Sequence, residues 1–366
     1  MKSKIPNNDK SSNIDRLSKF DVELLSGLTE GNVYANGNMQ VGVNVLIQAA
    51  DNNDSLIILS DEQLDGIQLI DYSTGEELSG GWAYSTKENE YTHTFPGETS
   101  PQILDSLYKE QANSSFQIRT YWVTTSSAET IQIGAKIKLD SQTYSIQDGA
   151  SFGSHVIVVG HSPINYDSDS LNIEEQKNIK SGKYKVVRVD SYSDWTPKKT
   201  KSTEYHKWSQ TNYYIKPKNE FTVKDAHVWN TAYDDDPSNI QFRRFSYLTN
   251  NDNLYIFYLW GTYQNKNKKA GWVNITKSFH TNDLTGEDSE FTASPQVYLD
   301  TLNPNTDVVS VTKLYFSPPY PAFWGEEGYY EPYFNFHDIY GNRSGNIRVI
   351  INEDHQSFHL QDADND

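Results

Sequence analysis

The strongest constraint on the fold is a run of alternating residues within positions 33–50. Aliphatic side chains occupy every second position from Val41 to Ala49, and mostly polar or small side chains lie between them. A period of two over ten residues is typical of a half-buried strand and excludes an amphipathic helix. Asn36-Gly37 precedes this strand and favours a type I′ turn, so residues 33–35 are expected to fold back onto it as a hairpin.

Short alternating or apolar runs separated by turn clusters recur along the whole chain, with hardly any helical pattern. We therefore predict an all-β protein made of two antiparallel β-sandwich domains, immunoglobulin-like and in tandem. Residues 116–122 and 131–139 are predicted to form one hairpin, and residues 241–248 and 254–262 another. The predicted organisation is a disordered N-terminal arm at 1–19, β-sandwich domain 1 at 20–161, a polar linker at 162–182, β-sandwich domain 2 at 183–360 with an aromatic loop at 315–340, and an acidic tail at 361–366.

Composition limits which partners the protein can bind and which cellular compartments it can occupy. The chain has 49 acidic and 31 basic residues, for a net charge of -18, which argues against a nucleic-acid partner. It has no cysteine, so disulfides, thiolate metal sites and cysteine nucleophiles are excluded. No apolar segment follows the N-terminal lysines, and no run approaches the roughly 20 apolar residues that span a bilayer. We expect a soluble protein, cytoplasmic or released without a classical signal peptide.

One segment resembles a known family. Residues 33–54, VYANGNMQVGVNVLIQAADNND, are similar to bacterial immunoglobulin-like modules of the invasin type in their ANG turn, alternating strand and following aspartate turn. The glycine expected after that aspartate is replaced by Asn52-Asn53. The resemblance covers this segment alone. It implies a sandwich fold and, by analogy, host-facing adhesion or display.

The aromatic loop at 315–340 is the most unusual segment, because it places many rings among prolines and glycines that preclude a regular element. Rigid aromatic faces in such a loop can stack on sugars or anchor in the pocket of a protein partner. The alternative is that the loop folds over one end of a sandwich and buries its rings. The predicted ligand- or partner-binding residues are Phe323, Trp324, Tyr329, Tyr330 and Tyr333.

No pattern identifies a catalytic residue, a metal ligand or a cofactor, and we assign none. Hydrolysis of glycans needs two carboxylates, calcium needs six to eight oxygens, and zinc needs several well-spaced ligands. Solvated turns and loops are the favoured explanation of the same residues. The candidates considered are Glu326, Glu327 and Glu331 for hydrolysis, residues 234–236 and 166–170 for calcium, and His337, Asp338, His355 and His359 for zinc.

Residues 177–207 are rich in lysine, with Trp195, Tyr205 and the adjacent Trp208 interleaved. Such a segment could contact an anionic surface, either phospholipid headgroups or acidic glycans. A solvated linker and a strand edge that lysines protect against pairing is the alternative.

Three functional hypotheses follow. The first is a non-enzymatic bacterial β-sandwich binding protein that contacts a glycan, a membrane surface or a protein partner through aromatic loops, a toxin or virulence component being one version of it. The second is a self-assembling structural protein that forms homo-oligomers through Tyr-rich surfaces and strand edges. The third is a glycan-active hydrolase, which requires a pair of carboxylates in a groove.

Overall fold

A computed structural model describes residues 14–98, 116–147, 149–192, 198–229, 243–261, 271–282, 287–299, 307–325 and 328–363. These residues form mostly antiparallel β-sheets with almost no helix, which confirms the all-β class. In the part of the chain that is described, no helix is long and apolar enough to cross a bilayer. The chain divides into two compact units: unit 1 is Met1–Ile164 with Tyr340–Asn342, and unit 2 is Asn165–Ile339 with Arg343–Asp366.

Unit 1 contains two five-stranded sheets, ordered β1-β3-β7-β6 with β4 beside β3, and β2-β10-β8-β5 with β9 beside β8. Its elements are β1 (Arg16–Leu24), β2 (Glu30–Tyr34), β3 (Val41–Ala50), β4 (Leu56–Ile57), α1 (Asp61–Leu64), β5 (Gln68–Asp71), β6 (Trp82–Ser85), β7 (Gln117–Thr125), β8 (Thr130–Leu139), β9 (Gln142–Ser145) and β10 (Val156–His161). Strands of the two sheets touch, β1 with β8 and β10, and β2 with β3 and β7, so unit 1 is a sandwich.

Strand β3 lies at the centre of unit 1, between β1 and β7. Its aliphatic residues are buried, as the alternation predicts, but Asn44 between them and Gln40 just before the strand are buried as well, and Gln48 is partly buried. Gln40 exchanges hydrogen bonds with the backbone of Lys87 and Asn89, and Asn44 accepts one from the Thr120 hydroxyl at 2.8 Å. The prediction of a half-buried strand is therefore wrong, because other segments cover both of its faces.

The predicted hairpins of unit 1 also differ from the structure. Gly37 does lie in a turn with φ +75°, yet β2 pairs in parallel with β10 and not with β3. Likewise β7 joins the sheet of β3 and β6, whereas β8 joins the sheet of β5 and β10. Each connection thus crosses from one sheet to the other, which the alternating pattern of the strands does not reveal. Residues 16–19, predicted to belong to the disordered arm 1–19, are part of strand β1, and residues 1–13 lie outside the described residues.

Unit 2 contains an eight-stranded sheet ordered β18-β19-β12-β13-β21-β16-β15-β22, a six-stranded sheet around β23, and the ribbon β17-β20. Its strands are β11 (Asn165–Tyr166), β12 (Leu171–Tyr192), β13 (Lys198–Pro217), β14 (Val223–Trp229), β15 (Arg243–Asn250), β16 (Asn253–Trp260), β17 (Gly271–Asn274), β18 (Lys277–Asn282), β19 (Glu287–Ala293), β20 (Gln296–Leu299), β21 (Val309–Phe316), β22 (Gly328–Tyr329), β23 (Tyr333–Asp338), β24 (Arg343–Ser344), β25 (Ile347–Ile351) and β26 (Phe358–Asp362). A 3-10 turn, Ser168–Ser170, precedes β12.

The long strands β12 and β13 pair with each other along nearly their whole length. Strand β12 begins at Leu171, so most of the segment predicted as the linker 162–182 is regular strand, and that prediction is corrected. The β15–β16 hairpin pairs as predicted. An eight-stranded sheet built on one long hairpin is not the seven- to nine-stranded immunoglobulin plan, so two immunoglobulin-like sandwiches in tandem are not confirmed.

Buried hydrogen bonds join the three central strands of the eight-stranded sheet. The Trp260 indole N–H donates to Thr312 Oγ1 at 3.0 Å, and the Thr312 hydroxyl donates to Asn212 Oδ1 at 2.9 Å. Gln210 also donates to Asn212 Oδ1 at 3.0 Å, and the Asn212 amide donates to the Tyr214 hydroxyl at 3.1 Å. Because all these residues are buried, each polar group depends on its partner for a hydrogen bond.

Phe323 and Trp324, two of the predicted binding residues, lie inside the core on this same face of the sheet. Both are 0% exposed. Their ring centroids are 4.9 Å apart in an edge-to-face arrangement, and Trp324 also packs against Phe316 and Tyr184 at 5.8 and 5.9 Å. A fully buried ring cannot contact a ligand, so these two residues are corrected from binding residues to core residues.

Replacing Trp324 with alanine should lower the free energy of unfolding of unit 2 by about 3–5 kcal/mol, because the change removes a large buried ring and leaves a cavity. The measurement is urea unfolding of the full chain followed by circular dichroism. Trp272→Ala is the matched control, since Trp272 is 62% exposed. It should cost less than about 1 kcal/mol, and equal effects of the two substitutions would contradict the core assignment.

Candidate functional site

The six-stranded sheet of unit 2 presents one accessible face made of three rows of aligned side chains. Strand alternation sends every second residue of β14 and β23 to this face, and the register places each residue opposite its partner. We call it the polar–aromatic face. Its members are Trp229, Tyr333 and Arg348 in the first row, His227, Asn335 and Asn346 in the second, and Asp225, His337 and Arg343 in the third.

The first row is built on a stacked pair of rings. The Trp229 indole and the Tyr333 phenol lie 5.2 Å apart between centroids with 17° between their planes, and Trp229 is 36% exposed. Arg348 is the direct partner of Tyr333 on the next strand. Tyr329 and Tyr330 lie a few residues before Tyr333 and are 39% and 44% exposed. The row therefore offers flat apolar area beside a guanidinium group.

The other two rows are polar and hold each other in place. Asn335 Nδ2 donates to Asn346 Oδ1 at 3.1 Å, and His337 Nδ1 lies 3.0 Å from Asp225 Oδ1. Arg343 is the direct partner of His337 on β24. Four residues of these rows line a cavity of about 530 Å³, together with four neighbours. The lining residues are Asn335, Asn346, His337 and Arg343 of the rows, and Asn165, Phe336, Ser344 and Gly345. Amide, imidazole and guanidinium groups at neighbouring positions can hydrogen-bond several oxygens of one ligand at once.

The opposite side of the same strands is core, which keeps the face rigid. Phe334, Phe336 and Val349 are at most 1% exposed. Asp338 at the end of β23 is also buried, and its carboxylate accepts a hydrogen bond from the Tyr166 hydroxyl at 2.7 Å. Side chains that point outward from a strand anchored in this way have few alternative positions, which favours a preformed site.

The predicted binding residues thus fall into two groups. Tyr333 belongs to the polar–aromatic face, whereas Tyr329 is on β22 of the eight-stranded sheet and Tyr330 follows it. A binding role for the three residues remains a prediction. Phe323 and Trp324 are in the core. The sequence analysis missed Trp229 and His227, which come about a hundred residues before the loop, although their positions two residues apart in the run 221–229 were a usable signal.

The remaining candidates for chemistry acquire structural explanations or lie outside the described residues. Glu326, Glu327 and residues 234–236 are in the latter group. Asp167 caps the turn Ser168–Ser170, and the hydrogen bond from the Ser170 hydroxyl contributes most to lowering the pKa of its carboxyl. His355 lies in a turn with φ +55°. His359 on β26 has its Nδ1 2.7 Å from Asn352 Oδ1. Within the described ranges, no three His, Asp or Glu side chains are grouped to hold a metal ion.

Unit 1 contains a separate cavity of about 450 Å³ between the start of β3 and residues 88–94. Trp122, Val41 and Leu25 supply apolar walls. His93 stacks on Trp122 at 4.5 Å between centroids, and its Nε2 lies 3.2 Å from Glu88 Oε1. Burial lowers the pKa of His93 even though Glu88 acts in the opposite direction. Burial therefore favours the neutral form of the imidazole.

Comparisons with known proteins leave the family open. No family model matches the sequence, and no curated protein matches it. One similar solved structure is the C-terminal domain of the AgI/II polypeptide BspA of Streptococcus agalactiae, with 10% identity, a TM-score of 0.22, and coverage of 90% of this chain and 99% of that one. Another is the C-terminal domain of the antigen I/II-family protein AspA of Streptococcus pyogenes, with 11% identity, a TM-score of 0.18, and coverage of 90% and 98%. Likeness at these TM-scores supports no conclusion about fold or function.

The depressed pKa of His93 predicts that unit 1 loses stability as pH falls below about 6.5. In that range the unfolded chain takes up a proton that the folded chain resists, so unfolding is favoured. The measurement is the melting temperature at pH 7.5, 6.5 and 5.5 for the protein and for His93→Gln, which cannot titrate. The variant should show a smaller drop between pH 7.5 and 5.5. An equal drop in both proteins would contradict the assignment.

Proposed function

We propose that this protein is a non-enzymatic binding protein and that its polar–aromatic face binds a glycan. The observation that carries the proposal is the stacked pair Trp229 and Tyr333, accessible to solvent and in line with two rows of hydrogen-bonding side chains. The resemblance of residues 33–54 to invasin-type bacterial modules fits a role in adhesion or display.

The chemistry of a sugar matches the order of the rows. A pyranose ring has apolar C–H faces that pack on aromatic rings and an edge of hydroxyl groups that needs donors and acceptors. The first row supplies the aromatic area, and the amides of Asn335 and Asn346 supply both donors and acceptors beside it. The cavity of about 530 Å³ is in the usual range for ligand sites. A glycan that stacks on the first row would extend its hydroxyl groups into this cavity.

Binding without hydrolysis is the better account of the face. Glycoside hydrolysis uses two carboxyl groups, one on each side of the scissile bond. On the polar–aromatic face the carboxylate is Asp225, and it is engaged with His337 at 3.0 Å. That pair fixes the orientation of the imidazole, so its ring can hydrogen-bond a ligand oxygen.

Trp229→Ala should weaken glycan binding by about tenfold or more, because the loss of a stacking ring costs about 1.4 kcal/mol. The full chain is first screened on a glycan array, and the best ligand is then titrated by calorimetry. Trp272→Ala is the matched control, since Trp272 is more exposed and forms its own ring pair with Tyr298 at a centroid distance of 5.2 Å.

The control variant should bind within about twofold of the unchanged protein. Absence of any glycan ligand on the array, or equal losses in the two tryptophan variants, would overturn the proposal. Circular dichroism of both variants checks that neither substitution has altered the fold.

A further inference from the structure

The outer half of the β12–β13 hairpin separates its charges between two faces. Alternation places Lys199, Lys201, Tyr205 and Lys207 of β13 on one face, and the register adds Lys183 and Lys185 of β12 opposite Lys207 and Tyr205. All six side chains are exposed. We call the five lysines the lysine strip.

The acidic residues of this part of the hairpin point the other way. Glu204 lies between two outward-facing positions of β13 and pairs with His206 on the opposite face at 3.3 Å. Asp190 of β12 is on that opposite face too, where it binds Arg188 at 2.7 Å.

Two lysines of the strip repel each other electrostatically. Lys183 and Lys207 are direct partners across the two strands, and like charges at such positions destabilise a sheet. Within the described part of the chain, none of the five lysines forms an ion pair, whereas nearby Lys177 pairs with Glu175 at 3.2 Å. Glu290 and Asp288 of β19 lie on this same face, beside Val189 and Ser191 of β12, but among the described residues no ion pair joins them to the strip lysines. A bound anion would supply the missing direct counter-charge.

The shape of the strip is a line. From Lys199 to Lys207 the strand advances eight residues, about 26 Å at the usual rise of about 3.3 Å per residue. Lys183 and Lys185 widen one end of this line to two strands, and Tyr205 offers an apolar ring, 62% exposed, between the lysines. A ligand that satisfies all of these groups must be extended and carry several negative charges.

We propose that the lysine strip binds a linear acidic polysaccharide, one bearing carboxylate or sulfate groups along its length. A narrow polymer can follow the strip along β13, from which β12 separates the acidic residues Asp288 and Glu290 of β19. An anionic membrane is a plane and would bring those acidic residues close to lipid charges, within the roughly 8 Å over which charges interact at physiological salt. Single-stranded nucleic acid is recognised through several stacking rings, and the strip has one, Tyr205.

This site is independent of the polar–aromatic face, so the two proposals fail separately. The lysines lie on the β12–β13 hairpin of the eight-stranded sheet, whereas Trp229 and Tyr333 belong to the six-stranded sheet. Trp229→Ala should therefore leave the binding of an acidic polysaccharide unchanged.

The test uses the full chain and a triple variant, Lys183→Gln, Lys185→Gln and Lys207→Gln. The probes are fluorescein-labelled heparin fragments and polygalacturonate, followed by fluorescence polarisation at several salt concentrations. The triple variant should bind about tenfold more weakly than the unchanged protein, with a shallower dependence on salt, because three exposed charge contacts are lost. The matched control replaces three other exposed lysines, Lys87, Lys138 and Lys218, with glutamine and should bind within about twofold.

Two parallel measurements decide between anionic partners. Vesicles containing phosphatidylglycerol are tested by flotation, and single-stranded oligothymidine by polarisation. Binding of a polysaccharide that the triple variant loses and the control variant keeps supports the proposal. Binding only to vesicles or only to oligothymidine, no binding to either polysaccharide, or equal losses in the two triple variants would overturn it.

Discussion

The buried hydrogen bonds among Asn212, Thr312 and Trp260 are the constraint on which the rest of unit 2 depends. They join β13, β21 and β16, and a shift of any one strand by a residue would leave buried polar groups without partners. The register they favour also sets which residues of β13 face the core further along the strand. Asn212 and Gln210, at even positions of β13, point inward. Lys207 is at an odd position of the same strand and therefore points to the opposite side.

One sheet register therefore determines both the core and the exposed charge. On the inward face, the rings of Phe323 and Trp324 cover the strands next to the polar residues. On the outer part of the same hairpin, buried and exposed residues alternate along β12: Tyr184 and Val186 are buried, and Lys183 and Lys185 are exposed. The lysines are held in line by the packing of their neighbours, so their spacing is a property of the sheet.

The sequence predicts the strands well and their pairing poorly, for a physical reason. Alternation is a local property, so β3, β7, β8 and β16 could be recognised from their own residues. Pairing depends on which sheet a strand joins, and β7 and β8 join different sheets although a short polar turn connects them. The sequence predicts a linker at the start of β12, because a strand exposed on both faces shows no periodic pattern of apolar residues. Aromatic composition likewise indicated a site near Tyr333, but ring content does not tell which rings point inward.

The long β12–β13 hairpin is stabilised by strand pairing and by apolar packing on one face, which leaves the lysine strip on the other face exposed. A two-stranded hairpin is marginally stable in water. The outer half of this one is extended into a larger sheet, because β19 pairs with β12 and β18 pairs with β19. On the core side, Tyr320 packs on Phe291 and Phe279 at 5.2 and 5.7 Å, which anchors that extension to the loop after β21. Apolar contacts on one face thus stabilise the hairpin, and the strip face is not needed for folding. A face that the fold does not use can carry like charges at modest cost, which is the condition that a binding surface for an anionic polymer requires.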